Sequence, residues 1–170
     1  TTDGTGHTFA LHRVLSNWGE GTSAPADESR GTHAVTGDAT WTHAVFDSLE
    51  WRSPGGDFSP EPSAVLEIEQ AGFHVWEAPG LVADVQSWVD DPDSNSGWIL
   101  LGDEGQSRGA QRFDSRERPD GVPPCLLVQF DLQAGDPSPA VVQALSWGRL
   151  KLSARTLGMD APSAPHRISQ

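Results

Sequence analysis

The chain has 170 residues, 24 of them acidic and 11 basic, for a formal net charge of −13. A field of that sign repels phosphate backbones and anionic bilayers, which argues against nucleic acid and against polyanionic polysaccharide as partners. No apolar run approaches the roughly 20 residues of a spanning helix, so no membrane insertion is expected, and the lone Cys125 has no second thiol for an internal disulfide.

Hydrophobic residues make up 36% and charged residues 21%, which places the chain among globular proteins with one core, a single domain over residues 1–170. The start, TTDGTGHTF, has neither the basic region nor the apolar core of a signal peptide. Thr8–Leu15 alternates around Phe9 and Leu11 and reads as a strand. Ser16–Thr36 is rich in Gly, Ser and acids and reads as a long loop, a class that is usually functional or disordered. A short segment, WTHAVF, follows within Asp38–Leu49, and then a turn-rich loop pivots on Pro54, Gly55 and Gly56.

Ala64–Glu69 alternates as a strand, and Gly72–Trp76 reads as a short second one. After Pro79, the residues Leu81, Val82, Val85, Trp88 and Val89 fall on one helical face, and Pro92 ends the pattern. Gly97–Gly102 is a short apolar run, read as a strand buried on both faces. Asp103–Pro124 is loop, and Leu126–Leu132 and Val141–Ala154 are the two final strands. Many short strands with turns between them and one short helix predict an all-β fold, a β-sandwich.

Three constellations stand out. Asp91, Asp93 and Asn95 alternate as the first ligands of a calcium loop do, but Ser96 replaces the glycine and Gly102 the glutamate that an EF-hand needs. What remains is either a looser oxygen cage for a structural calcium ion or a plain Asx-rich helix exit. Trp18 and Glu20, within Trp18-Gly19-Glu20-Gly21, form either a sugar platform with a hydroxyl acceptor or an indole tucked over the end of the sheet. The run from Arg112 to Glu117 alternates charge, which suits an internal Arg–carboxylate network or contacts to sugar hydroxyls.

The six histidines stand apart with no HxH or HExxH spacing, and no GxSxG, GxGxxG or Walker loop occurs. No catalytic function is expected. Seven Trp and six Phe without a Tyr make an unusual aromatic set. Trp18 and Trp51 lie on polar, turn-rich loops and are the ligand-binding candidates, whereas the patterns around Trp88 and Trp98 place those two in the core.

Taken in order, FALHRVLSNWGEGTS, DATWTHAVFDSLEWRSPGGDFS, LVADVQSWVDDPDSNSGWILLGDE and RFDSRE resemble the DNRLRE-domain family of bacterial extracellular proteins, from about Thr8 to Phe130. That family is related to carbohydrate-binding modules first tied to alginate-degrading enzymes. The resemblance implies a secreted, jelly-roll-like β-sandwich without catalysis, carried on cell-surface proteins and polysaccharide-degrading enzymes. Its partners would be polysaccharide or other surface proteins. An alginate-type ligand is anionic and does not suit a charge of −13, and the resemblance supplies no ligand residues.

Domains of that family usually open with strands that precede the TFALHRVL segment. Here LLVQFDL and GRLKLSART, within 126–156, resemble those strands displaced to the C-terminus. They are expected to complete the sandwich, either within the chain as a circular permutation or in a neighbouring copy as donated strands of an extracellular filament.

Overall fold

The computed structural model describes residues 6–23, 31–103, 105, 111–115, 121–130 and, by their backbone, 143–146. Its centre is β1 (His7–Arg13), flanked on one side by β4 (Ala64–Ile68) and on the other by β5 (Trp98–Gly102), both antiparallel to it. Strand alternation puts His7, Phe9 and Leu11 on one face of β1, and all three are buried. Their partners across β4 are Ile68, Leu66 and Ala64, of which Ile68 and Ala64 are buried as well. Across β5, Phe9 faces Gly102, Leu11 faces Leu100 and Arg13 faces Trp98. The bare Gly102 makes room for the phenyl ring, since a Cβ there would lie 3.1 Å from Phe9 Cε1.

The helix α1 (Pro79–Asp90) packs on this same face. Pro79 occupies the first turn, where its missing N–H costs nothing. Gly80 lets the helix start close to the sheet, because a Cβ at that position would sit 2.4 Å from the Ser63 carbonyl oxygen. The predicted apolar stripe is only partly used. Trp88 is 1% exposed, while Val82 and Val89 are 70% and 55% exposed. Asp91 closes the helix through its N–H to the Ser87 carbonyl, and Pro92–Ser94 form a single 3-10 turn.

The remaining strands form two small antiparallel pairs. β2 (His43–Val45) pairs with β3 (Leu49–Glu50) through a turn in which Asp47 takes a left-handed conformation, φ 65°. β6 (Cys125–Val128) pairs with β7 (Gln143–Ser146), with Cys125 opposite Ser146 and Val128 opposite Gln143. The described chain is therefore β-rich and antiparallel with one α-helix. Among the described residues its strands form sheets of three, two and two, and the jelly-roll closure is not part of that arrangement. Val141, Val142 and Trp147–Ala154, the rest of the predicted last strand, lie outside the described residues, as do Asp131 and Leu132 of the one before it.

Two expectations need correction. Gly72–Trp76 is not a strand: a bend at Gly72 leads into residues that join no sheet, with Phe73 82% and Val75 69% exposed. Its alternation finds no sheet to lie against; His74 and Trp76 are half-buried, the Trp76 ring 6.4 Å from that of Phe113. β5 is not buried on both faces either. Trp98–Leu101 are half-buried, because among the described strands β5 is an edge paired with β1 alone.

Candidate functional site

Beyond Arg13 the first strand leaves the sheet but stays tied to it. Val14 N–H reaches the Gly97 carbonyl at 2.9 Å and Leu15 N–H the Asp57 carbonyl at 2.8 Å. Asp57 also organises the loop opposite, accepting the Ser16 hydroxyl at 3.2 Å and the amides of Arg52 and Ser53. Trp18 is then anchored by its indole N–H to the Ser96 carbonyl at 2.9 Å. Gly19 N–H donates to the Ala44 carbonyl on β2.

Here the chain begins an excursion that returns to its own start. Glu20 and Asp38 form an isolated antiparallel bridge. The glycines around it permit close approach rather than flexibility: a Cβ at Gly19 would lie 1.9 Å from the Gly37 carbonyl oxygen, and one at Gly21 would lie 1.7 Å from Asp38 Oδ1. Gly21 also has φ of 69°, where L side chains are strained.

Asp38 holds this neck. It is only 6% exposed. Its Oδ1 accepts the amides of Thr22 at 3.1 Å and Ser23 at 3.4 Å, and its Oδ2 accepts the Val35 amide at 2.7 Å and the Ser23 hydroxyl. The Ser23 hydroxyl, followed by the Val35 amide, holds the carboxyl below the ordinary carboxylate range. Burial works against them, and the Ser23 and Thr22 amides add to the lowering.

The two arms of the neck enclose an open groove of about 410 Å³, lined by Trp18, Glu20, Ser23, Thr32, Asp38 and Thr40 with small residues between them. Its lining pairs one half-buried indole with hydroxyls and two carboxylates, and both charged residues are acidic. Such a surface offers an apolar ring for C–H contacts and polar groups for hydroxyls.

Of the candidates from the sequence, Trp18 and Glu20 meet in this groove. Trp51 does not line it. Its half-buried ring donates through Nε1 to the Thr40 carbonyl at 2.9 Å, so it supports the groove wall from behind. Both indole N–H groups are thus spent on backbone carbonyls. Among the described residues the most exposed indole is Trp41, at 66%, which the sequence reading passed over. Its carbonyl accepts the Gly55 amide at 2.7 Å and its six-membered ring abuts Gly55, the glycine pivot that was visible in the sequence.

Asp91, Asp93 and Asn95 lie at the helix exit. The Asp91 carbonyl accepts the amide and hydroxyl of Ser94, and Asn95 Oδ1 accepts the Gly97 amide at 3.1 Å, an Asx turn that leads into β5. Asp91 and Asp93 are exposed. Asn95 Oδ1 thus serves the helix exit, one of the two readings the sequence left open. Among the described residues no group of three or more His, Cys, Asp or Glu is placed to hold a metal. The run from Arg112 serves packing where it is described: Phe113 meets Phe9 edge-on at 5.3 Å, and Asp114 accepts the Val122 amide. Arg116 and Glu117 lie outside the described residues. No family model, no curated protein and no solved structure matches the chain.

Proposed function

We propose that the chain is a non-catalytic extracellular module of jelly-roll type that binds a neutral carbohydrate in the groove beside Trp18. The reading is carried by the lining of that groove, an indole set among the hydroxyls of Ser23, Thr32 and Thr40 with the exposed carboxylate of Glu20. Sugar rings present C–H faces to aromatic surfaces, and their hydroxyls donate to carboxylates. Two acids in the groove and none of its lining residues basic select against uronic-acid polymers. The resemblance to DNRLRE domains supports the same reading and the extracellular setting.

A glycan array carrying neutral and anionic polysaccharides tests it. Binding to neutral polymers that falls in Trp18→Ala and Glu20→Gln is the expected result. Silence across the array would leave the module as a surface scaffold.

Completion of the fold in cis is preferred because the AGDPSP link after Leu132 is short enough for a hairpin, and β6 and β7 pair with each other as a separate two-stranded unit. Filaments of the full-length protein under the electron microscope would reverse that preference.

A further inference from the structure

We propose that Asp38 is the positioning residue of the groove: by binding both arms of the Glu20–Asp38 loop, it sets the gap between the wall carrying Ser23 and the wall carrying Thr32. The inference deepens the carbohydrate reading and rests on it for the groove's purpose. Four donors converge on the two carboxylate oxygens, Thr22 N–H, Ser23 N–H, Val35 N–H and the Ser23 hydroxyl. Three of the four are backbone amides, which can only donate. Both side-chain oxygens must therefore be acceptors, a demand that a carboxylate meets and an amide does not.

An isosteric Asn would aim its NH₂ at the Thr22 and Ser23 amides in one orientation and at the Val35 amide in the other, where only the Ser23 hydroxyl could turn to accept. No spare space lets it shift, since Gly21 already lies too close to Asp38 for a Cβ. The backbone of Asp38 is equally committed, its N–H to the Val35 carbonyl at 3.0 Å and its carbonyl to the Phe46 amide at 2.7 Å. With about four acceptor sites on a carboxylate and four donors upon them, none is left for a ligand hydroxyl. Asp38 shapes the groove, and Glu20 is the solvent-exposed carboxylate of its lining.

The test uses the full chain with Asp38→Asn, Ser23→Ala and Ser23→Thr. Amide hydrogen exchange at Thr22, Ser23 and Val35 should quicken about tenfold or more in the first two variants and recover in Ser23→Thr, which keeps the hydroxyl. Amides of β1 and β4 should keep their protection, and the Trp18 indole N–H resonance should move only in the first two variants. Unchanged exchange at the three amides in Asp38→Asn and Ser23→Ala overturns the proposal. Should Asp38→Asn unfold the whole chain, the Ser23 pair decides by the same criterion.

A second arm measures retention on laminarin, xylan, mannan and alginate. Asp38→Asn should bind whichever polymer the wild type retains about tenfold more weakly, at a temperature where β1 and β4 keep their amide protection. Full-strength binding by a variant with a loosened neck also overturns the assignment. Failure of the wild type to bind any of the four sinks the carbohydrate reading alone, and the exchange arm still decides whether Asp38 sets the neck.

Discussion

Trp98 donates its indole N–H to Asp84 Oδ2 at 2.6 Å, joining the edge strand β5 to the middle of α1. The same oxygen accepts the Ser63 hydroxyl at 2.5 Å, and Arg13 lies 4.0 Å from the other oxygen. Arg13 in turn donates to Ser87 and Ser94 and stands 5.8 Å from the centre of the Trp88 ring, which packs 4.4 Å from that of Trp98. One carboxylate thus ties the helix to two strands of the sheet. Asp84→Ala should destabilise the chain by about 2–3 kcal/mol, because it strands partly buried donors. Urea unfolding measures this, and a loss below roughly 0.5 kcal/mol, the level of an ordinary surface change, would contradict it.

Trp88 is the largest side chain fully buried among the described residues. Trp88→Ala should cost about 3–5 kcal/mol, as large-to-small core changes do, and should release α1 first. Hydrogen exchange along the helix, compared with β1, separates this local loss from global unfolding.

The neck predicts an acid response. Asp38 has its carboxyl held below the ordinary range by the Ser23 hydroxyl and the Val35 amide. A lowered folded-state pKa contributes stability that is present above the unfolded value of about 3.9 and is lost as pH falls through the lowered one. The neck should therefore hold at pH 5 and above and loosen progressively below about pH 4. Other groups near it are Glu20 across the bridge, His33 and His43 on the adjoining loop and strand, and Asp47, which takes the Thr36 hydroxyl. The separate contribution of Asp38 appears as the difference between wild type and Asp38→Asn. Exchange at Val35 followed from pH 6 to pH 3 should show a step in the wild type and none in the variant.

Trp41 should be the first indole oxidised by N-bromosuccinimide, since it is the most exposed of those described. Peptide mapping after limited oxidation should find it modified before Trp18, Trp51 and Trp98, with Trp88 last. Early modification of Trp88 would mean that the helix does not cover the sheet as described.

At the helix exit, the commitment of Asn95 Oδ1 to Gly97 predicts a melt that neither EDTA nor millimolar calcium displaces. A rise with calcium, by mass action on the native state, would restore the cage of Asp91, Asp93 and Asn95.

Periodic signals were the readable part of this chain. Phe9 and Leu11 marked β1, Ala64–Glu69 marked β4, and the 3.6-residue recurrence from Leu81 to Val89 marked α1, each because one buried face leaves a local pattern. The same logic misled at Gly72–Trp76, where Phe73 and Val75 alternate with nothing to pack against. Arg13 and Asp84 were illegible as a pair, being 71 positions apart with no local spacing to link them. Asp38 did not stand out in the sequence, because two of its donors lie 15 and 16 positions upstream within a loop that shows no period. Trp18 and Glu20 were legible since their neighbours are polar and glycine-rich, whereas Trp51 looked equally open and is held by Thr40.

Because the Glu20–Asp38 bridge and the Asp38 carboxylate close the neck upon itself, the strands beneath need not register what the loop carries between Ser23 and Val35. The excursion behaves like a cassette. Its length and side chains are open to exchange by selection or by a randomised library, provided Gly19, Gly21, Ser23 and Asp38 are retained, while β1, β4 and β5 serve as a constant frame. A neck of this kind separates the composition of the loop from the folding of the sheet.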